Sequence, residues 1–145
     1  MDNIACGAAG IDIEGLILPN IPLTNIDLED SINKLNIPNF RGCYCINTLP
    51  KICHRVECGI LNLDKFMGDG THWTAWYRDN SNKIYFDSYG LDPPLELIKY
   101  LGPSIYCSTE FIQPRGTVVC GHLCLYVLKK LSDGMEYQDV LNSLI

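Results

Sequence analysis

The hydrophobic pattern is clearest in the stretch from Cys120 to Leu131. Apolar residues recur there at intervals of three and four, the spacing that forms one face of an α-helix. Leu125 and Tyr126 widen this apolar surface, and Gly134 lies where such a helix would end. The pattern therefore predicts a buried helix that begins at Cys120, with an apolar stripe made of Cys120, Leu123, Cys124, Val127, Leu128 and Leu131.

The stretch HWTAWYRDNSNKIYFDSYG predicts an antiparallel β-hairpin. Two β-rich segments, residues 73–77 and 82–87, flank the turn-forming residues RDNS, which would make a four-residue loop. If residue 77, the last of the first segment, pairs with residue 82, the first of the second, His72 lies opposite Asp87 on the same face. A shift by one residue would put the two side chains on opposite faces.

Weaker patterns predict the remaining elements. Residues 1–23, rich in Gly, Ala and Pro, are expected to form an extended arm rather than a packed element, followed by a single domain over residues 24–145. In that domain the first helix would be capped by Thr24 or Asn25, and the second by Asp92. Helices are expected over residues 26–35, 93–101 and 135–144, and strands over 42–47, 59–63 and 105–113.

Composition limits the classes of function. A chain of 145 residues that is 47% hydrophobic suits one globular domain with its own core. The net charge of −6 argues against direct DNA binding, because a protein that holds phosphates needs clustered Lys and Arg. The chain shows neither a secretory signal nor an apolar run long enough for a membrane span. We therefore expect an intracellular protein without a membrane-bound segment.

The eight cysteines are expected to be free thiols, as is usual inside cells. The cluster CYCINTLPKICHRVEC, which also contains His54, could hold zinc. Its spacings do not match the usual C-x2-C pairs, so we expect no metal. In the alternative interpretation, Cys43 and Cys45 are small hydrophobic residues on one face of a strand.

Cys120 lies where the predicted helix starts, and two interpretations of it compete. A cysteine in an apolar helix is most often a buried structural thiol, which suits Cys124. At a helix N-terminus, however, the dipole lowers a thiol pKa and free backbone NH groups can bind an oxyanion. Gly121 would then let a substrate carbonyl approach the backbone. His122, two residues further on, points about 200° away from Cys120 and is rejected as its base.

His72 is the better base because strand pairing gives it a carboxylate partner. A cysteine hydrolase needs a nucleophile, a base, a group that orients the base, and donors for the oxyanion. The chain offers Cys120, His72 and Asp87 for the first three roles, and Gln113 in the loop before the cysteine for the fourth.

These motifs resemble those of adenovirus-type (adenain-like) cysteine proteases. The dipeptide HW, the Asp of YFDSYG, and Q-P-x-G-x3-C-G-x2-C opening an apolar helix occur here in that family's order. The versions encoded by Polinton/Maverick transposons and related viruses are the most similar, through FRGCYC, ECGILNLD and GDGTHW. The resemblance implies a papain-like/adenain-like α+β fold, with a mixed, mainly antiparallel sheet packed against a central helix that carries the nucleophile.

The resemblance also implies roles for individual residues. His72 would be the general base, Asp87 its orienting carboxylate, Gln113 an oxyanion-hole side chain and Cys120 the nucleophile. Trp73 matches an aromatic residue that the family places beside the base, where it would contact substrate. Adenovirus enzymes use DNA and a peptide cofactor, but the net negative charge of this chain argues against activation by DNA, and we expect no cofactor. The partners would be capsid or core precursor proteins, cleaved in the host nucleus or cytoplasm or inside virions.

Two other functions stay open. Proteases of SUMO and ubiquitin-like proteins share this layout, and Asp87 is their usual carboxylate. They usually carry Gln six positions before the cysteine and Asp immediately before it, whereas this chain has Gln113 seven positions before and Val119 immediately before. The third function is a non-catalytic binding module that keeps the protease fold.

Overall fold

The computed structural model describes residues 5–7, 10–64, 72–113 and 117–144. These ranges contain four helices and eight strands, and the strands form two sheets. The elements are β1 Ala5–Gly7, β2 Gly10–Ile13, β3 Leu16–Leu18, α1 Asn25–Lys34, β4 Phe40–Cys45, β5 Val56–Asn62, β6 Trp73–Asp79, β7 Asn82–Phe86, α2 Leu95–Leu101, β8 Ile105–Cys107, α3 Cys120–Ser132 and α4 Tyr137–Ser143.

The larger sheet has its strands in the order β4–β5–β6–β7–β8. The central pairs β5–β6 and β6–β7 are antiparallel, whereas the outer pairs β4–β5 and β7–β8 are parallel. α3 packs in the main core with Ile60 and Ala75, and α2 packs in a second core with Leu61 and Trp76. The sheet therefore lies between α3 and α2, and the predicted α+β class with a mixed sheet and a central helix is confirmed.

The β6–β7 hairpin forms, but its predicted register is wrong. Asp79 pairs with Asn82 around a turn of two residues, not four. Asn80 occupies the left-handed region at φ 56°, which Asn tolerates and which permits so tight a turn. The pairing is displaced by two residues from the predicted one. Since two residues are one full period of a strand, His72 and Asp87 still fall on the same face.

The prediction of an unpacked N-terminal arm is wrong for residues 10–18. β1, β2 and β3 form a second, antiparallel sheet. The side chains of Ile11 and Ile13 are buried in the main core, and Glu14 forms an ion pair with Lys130 of α3, with 3.6 Å between Oε1 and Nζ. The domain boundary at residue 23 stays a prediction.

Several helix and strand ends differ from the predicted ones. α1 is capped by Thr24, one of the two predicted caps, which exchanges hydrogen bonds with Asp27, and it starts at Asn25, one residue before the predicted start. α2 starts at Leu95 without a side-chain cap, so the expected cap at Asp92 is wrong. A residue that precedes proline avoids the helical conformation, so Pro93, followed by Pro94, cannot open the helix. None of the helices in the described ranges has the length and apolarity to cross a bilayer.

A buried carboxylate, Glu57 of β5, joins four other parts of the structure. Its side chain accepts hydrogen bonds from the backbone of His54 at 2.6 Å, from Arg41 at 2.8 Å, and from Trp76 and Tyr100 at 2.8 Å. Burial alone would raise the pKa of Glu57, but these hydrogen bonds lower it below its ordinary value. Glu57 therefore stays ionised and ties β4, β6 and α2 to β5.

We predict that Glu57→Ala lowers the free energy of unfolding by about 3 kcal/mol or more, because Arg41 and the Trp76 indole lose a buried acceptor. Urea denaturation measures the change. Glu96→Ala, at an exposed position of α2, is the control and should change the value by no more than about 0.5 kcal/mol. Equal effects of the two substitutions would contradict the prediction.

Candidate active site

Cys120 is the first residue of α3, as the sequence predicts. Its thiol is hydrogen-bonded to the side chain of His72 and to the backbone NH groups of Trp73 and Gly121. Burial alone would raise the pKa of the Cys120 thiol, but these hydrogen bonds and the charge of His72 bring it below the ordinary value. The environment of Cys120 therefore favours the thiolate.

His72 lies directly before β6 and connects Cys120 to Asp87. Its Nε2 atom is 2.8 Å from Oδ1 of Asp87, and the side chain is 10% exposed. Burial acts to lower the pKa of His72, but hydrogen bonds to Asp87 and Cys120 raise it to about 9. The ring is therefore an imidazolium at neutral pH, and its charge favours the thiolate form of Cys120.

The sequence correctly paired His72 with Asp87. Asp87 directly follows β7, and its carboxylate bonds the Nε2 atom of the ring. With Nε2 bonded to Asp87, Nδ1 is the ring nitrogen available to Cys120.

Asp87 is held in place by its own backbone surroundings. Oδ1 also accepts a hydrogen bond from the backbone NH of Tyr89 at 2.8 Å. Oδ2 is buried and has no partner among the described residues. Because few hydrogen-bond donors surround it, the Asp87 carboxylate is stabilised chiefly by the positive charge of the His72 imidazolium.

Tyr89 is a site residue that the sequence analysis missed. Its ring stacks on the His72 imidazole, with 4.5 Å between centroids and 10° between planes. On its other side it stacks on Phe111, at 5.2 Å and 21°, and Phe111 is 54% exposed. Residues 88 and 89 lie in a turn after β7, so strand alternation gave no signal for the position of Tyr89.

Gln113 is buried in the loop that leads from β8 to α3. Its Oε1 atom accepts a hydrogen bond from the Ser88 hydroxyl at 2.6 Å, and its Nε2 atom donates to the Thr117 carbonyl at 2.9 Å. These two bonds fix the orientation of the amide. Its role as an oxyanion donor stays a prediction.

Trp73 and Gly121 contact each other beside the nucleophile. The indole Nε1 of Trp73 donates to the carbonyl of Leu23 at 2.9 Å. A Cβ added to Gly121 would lie 3.3 to 3.5 Å from side-chain atoms of Leu28, Trp73 and Leu23. Protein side chains therefore fill the space in which a Cβ of Gly121 would lie, and a contact between Gly121 and substrate stays a prediction. A contact between Trp73 and substrate stays a prediction.

Cys124 and His122 of α3 lie apart from the site, as the sequence predicts. Cys124 is completely buried in the main core. His122 is buried away from the site, and its Nε2 atom donates to the carbonyl of Pro19 at 2.8 Å. Burial lowers the pKa of His122, so the ring is neutral.

The cysteines upstream are spread over several environments. Cys43 and Cys45 are half-buried in β4, Cys53 lies beside Arg78, and Cys58 is buried in β5. Among the described residues, no group of three His, Cys, Asp or Glu side chains could hold a metal ion. The interpretation of Cys43 as a small hydrophobic residue is confirmed, since it packs against the main core.

Solved structures match the whole arrangement of helices and strands. The crystal structure of ASFV pS273R protease matches with a TM-score of 0.64 and 17% identity, over 98% of this chain and 66% of that one. Its Se-Met form matches with a TM-score of 0.63 and 16% identity, over the same shares. The chain has the fold of a viral protease. The predicted α+β fold, with a mixed sheet packed against a central helix, is thereby confirmed.

The comparisons also set the limits of this likeness. The chain spans about two thirds of the length of the pS273R protease that it matches. No protein-family model matches the sequence, and no curated protein does so either. The likeness therefore concerns the fold, and the chemistry must be argued from the site residues.

We predict that Cys120 is alkylated by iodoacetamide faster than the other cysteines at pH 6 to 7, because His72 favours its thiolate. In His72→Ala this rate should fall about tenfold or more, because the thiolate loses the hydrogen bond and the positive charge of His72 that lower its pKa. Mass spectrometry of the labelled peptides measures each rate. An unchanged Cys120 rate in His72→Ala would contradict the proposed ion pair.

We also predict that Tyr89→Leu lowers the pKa of His72 by roughly 0.5 to 1 unit, because the stacked ring no longer stabilises the imidazolium. Tyr89→Phe keeps the aromatic face and should keep the pKa at about 9. NMR titration can follow each of the three histidines separately. Equal pKa values in the Leu and Phe variants would show that stacking contributes nothing.

Proposed function

We propose that this chain is a cysteine endopeptidase in which Cys120 is the nucleophile. The observation that carries the proposal is the series of contacts from the Cys120 thiol to His72 and on to Asp87. It supplies a thiolate, a proton carrier and a group that orients the carrier, which are the parts that thiol hydrolysis needs. The fold shared with the pS273R protease supports the same conclusion.

In the proposed reaction the Cys120 thiolate attacks the carbonyl carbon of a peptide bond and forms a tetrahedral intermediate. The backbone NH of Cys120 and the Gln113 amide would stabilise the oxyanion. An amide NH2 carries two hydrogens, so Gln113 can donate to the oxyanion and keep its bond to Thr117.

Collapse of the intermediate breaks the C–N bond. His72 gives its proton to the leaving amine, and the acyl group remains on sulfur as a thioester. His72, now neutral, takes a proton from water as the water attacks the thioester. The acid product leaves, and the thiolate–imidazolium pair is restored.

For the substrate we propose structural precursor proteins of a virus or a transposon of the Polinton type. Support comes from the motifs shared with adenovirus-type proteases and from the fold of a viral protease. Such substrates place the reaction inside the host cell or in the assembling particle. The competing substrate class is a ubiquitin-like protein, which Asp87 favours and the seven-residue spacing from Gln113 to Cys120 opposes.

We predict that Cys120→Ala abolishes cleavage of capsid-type precursor peptides, lowering the rate by about 10³-fold or more because no other group replaces the nucleophile. Cys45→Ala removes a half-buried thiol of β4 and is the matched control, which should retain activity. Reactive probes that carry a ubiquitin-like C-terminus test the competing substrate class. Labelling by these probes without peptide cleavage would favour an isopeptidase, and inactivity toward both would favour a binding module.

We further predict a bell-shaped dependence of kcat/KM on pH. Activity should rise as Cys120 ionises, below the ordinary thiol pKa, and fall as His72 loses its proton at about 9. Asp87→Asn removes the charge that raises the pKa of His72, so the alkaline limb should move to lower pH. An alkaline limb unchanged in Asp87→Asn would contradict the role given to Asp87.

A further inference from the structure

A groove at the tip of the β6–β7 hairpin concentrates positive charge on an acidic protein. It has a volume of about 530 Å³ and is lined by Arg55, Arg78, Asn80, Ser81, Lys83, Pro103 and Ser104. Three of these residues are cationic and none is acidic, although the whole chain carries a net charge of −6. The groove lies at the end of β6 remote from His72.

The strand register brings two of the cations together. Arg78 of β6 pairs directly with Lys83 of β7. Like charges at directly opposed positions of an antiparallel pair destabilise it. The third cation, Arg55, is brought in by the turn, because its carbonyl accepts a hydrogen bond from the backbone NH of Asn80 at 2.7 Å.

The side chains of Arg78 and Lys83 bond to neutral groups. Arg78 donates to the Asn80 carbonyl at 2.9 Å and to the Cys53 sulfur at 3.3 Å. Lys83 donates to the Pro103 carbonyl at 3.1 Å. In the described parts of the chain, no ion pair involves Arg55, Arg78 or Lys83. Their charge is therefore not neutralised by a contacting carboxylate.

Two carboxylates are neighbours of Arg78 in the strands, but neither neutralises the positive charge of the groove. Glu57 pairs with Arg78 across β5 and β6, but its oxygens are already bonded to Arg41, Trp76 and Tyr100. Asp79 follows Arg78 along β6, so its side chain points to the opposite face of the sheet. An external anion would relieve the repulsion between Arg78 and Lys83.

We propose that this groove binds a small anion that carries two or more phosphate groups. Arginine forks and a lysine ammonium are the usual ligands of phosphate oxygens. Hydroxyl groups of Ser81 and Ser104 line the same groove and can donate further hydrogen bonds. The volume lies within the roughly 300–1,000 Å³ of small-molecule sites.

A small anion fits the charge distribution better than a nucleic acid does. The groove is confined to one hairpin turn, one neighbouring loop and Arg55. A long polyanion would extend beyond it over the surface of a chain with a net charge of −6, where it would be repelled.

The test is a titration of the full chain with sodium tripolyphosphate in a phosphate-free buffer, followed by NMR of the backbone amides. We expect saturable shifts at Asn80, Ser81 and Ser104, and weaker binding as ionic strength rises. The double variant Arg55→Ala/Lys83→Ala should bind about tenfold or more weakly, because it loses two charge-assisted contacts. Arg78 is left intact because it also holds Cys53 and Asn80.

The control is Lys51→Ala/Lys99→Ala, which removes two exposed charges outside the groove and changes the net charge equally. This control should bind within twofold of the parent chain, and the spectrum of each variant reports whether it folds. Equal weakening in both double variants, or shifts that do not saturate, would overturn the proposal. Tighter binding of a DNA duplex than of tripolyphosphate through the same amides would overturn it as well.

Discussion

The burial of α3 on nearly every side is the constraint on which the rest of the structure depends. Ten of its residues are buried, from Gly121 to Leu131. A helix this apolar is stable in water only if other elements cover it. The larger sheet, α1, α4 and β2 all contribute buried residues to the core around it. Several elements therefore fix the position of the helix that Cys120 starts. This packing limits how far the thiol can move from His72.

The structure stabilises two buried carboxylates in different ways. One of them supports the fold, whereas the other belongs to the candidate active site. Glu57 is surrounded by donors and paired with Arg41, so its environment is nearly complete. Asp87 accepts from His72 and from the Tyr89 backbone, and its second oxygen has no partner among the described residues. The complete network around Glu57 holds strands together. The incomplete network around Asp87 leaves a negative charge that is balanced when His72 carries its proton.

Local patterns predicted the chemistry of the site better than its surroundings. The apolar stripe after Cys120 and the alternation around Asp87 identified the helix start and the His72 partner, because both are properties of short segments. The residue that shields His72, Tyr89, was missed because stacking depends on where the chain turns after β7. The register was misjudged because a left-handed Asn80 shortens the turn, and the alternation of the strands alone does not reveal this.

The N-terminal sheet shows a different limit of sequence reasoning. Ile11 and Ile13 alternate with polar residues over a strand of only four residues, among glycines that favour loops. Their burial comes from packing on distant parts of the chain. No local signal reports such tertiary contacts, which is why the segment was predicted to be an arm.

The hydrogen bond from His122 to Pro19 has a consequence for how the molecule is assembled. The two residues are 103 positions apart in the chain, and Trp73 is bonded to Leu23 in the same segment. Contacts of such long range close large loops and form slowly during folding. On a ribosome, the thiol environment of Cys120 can be completed only after α3 has emerged and met a segment made long before.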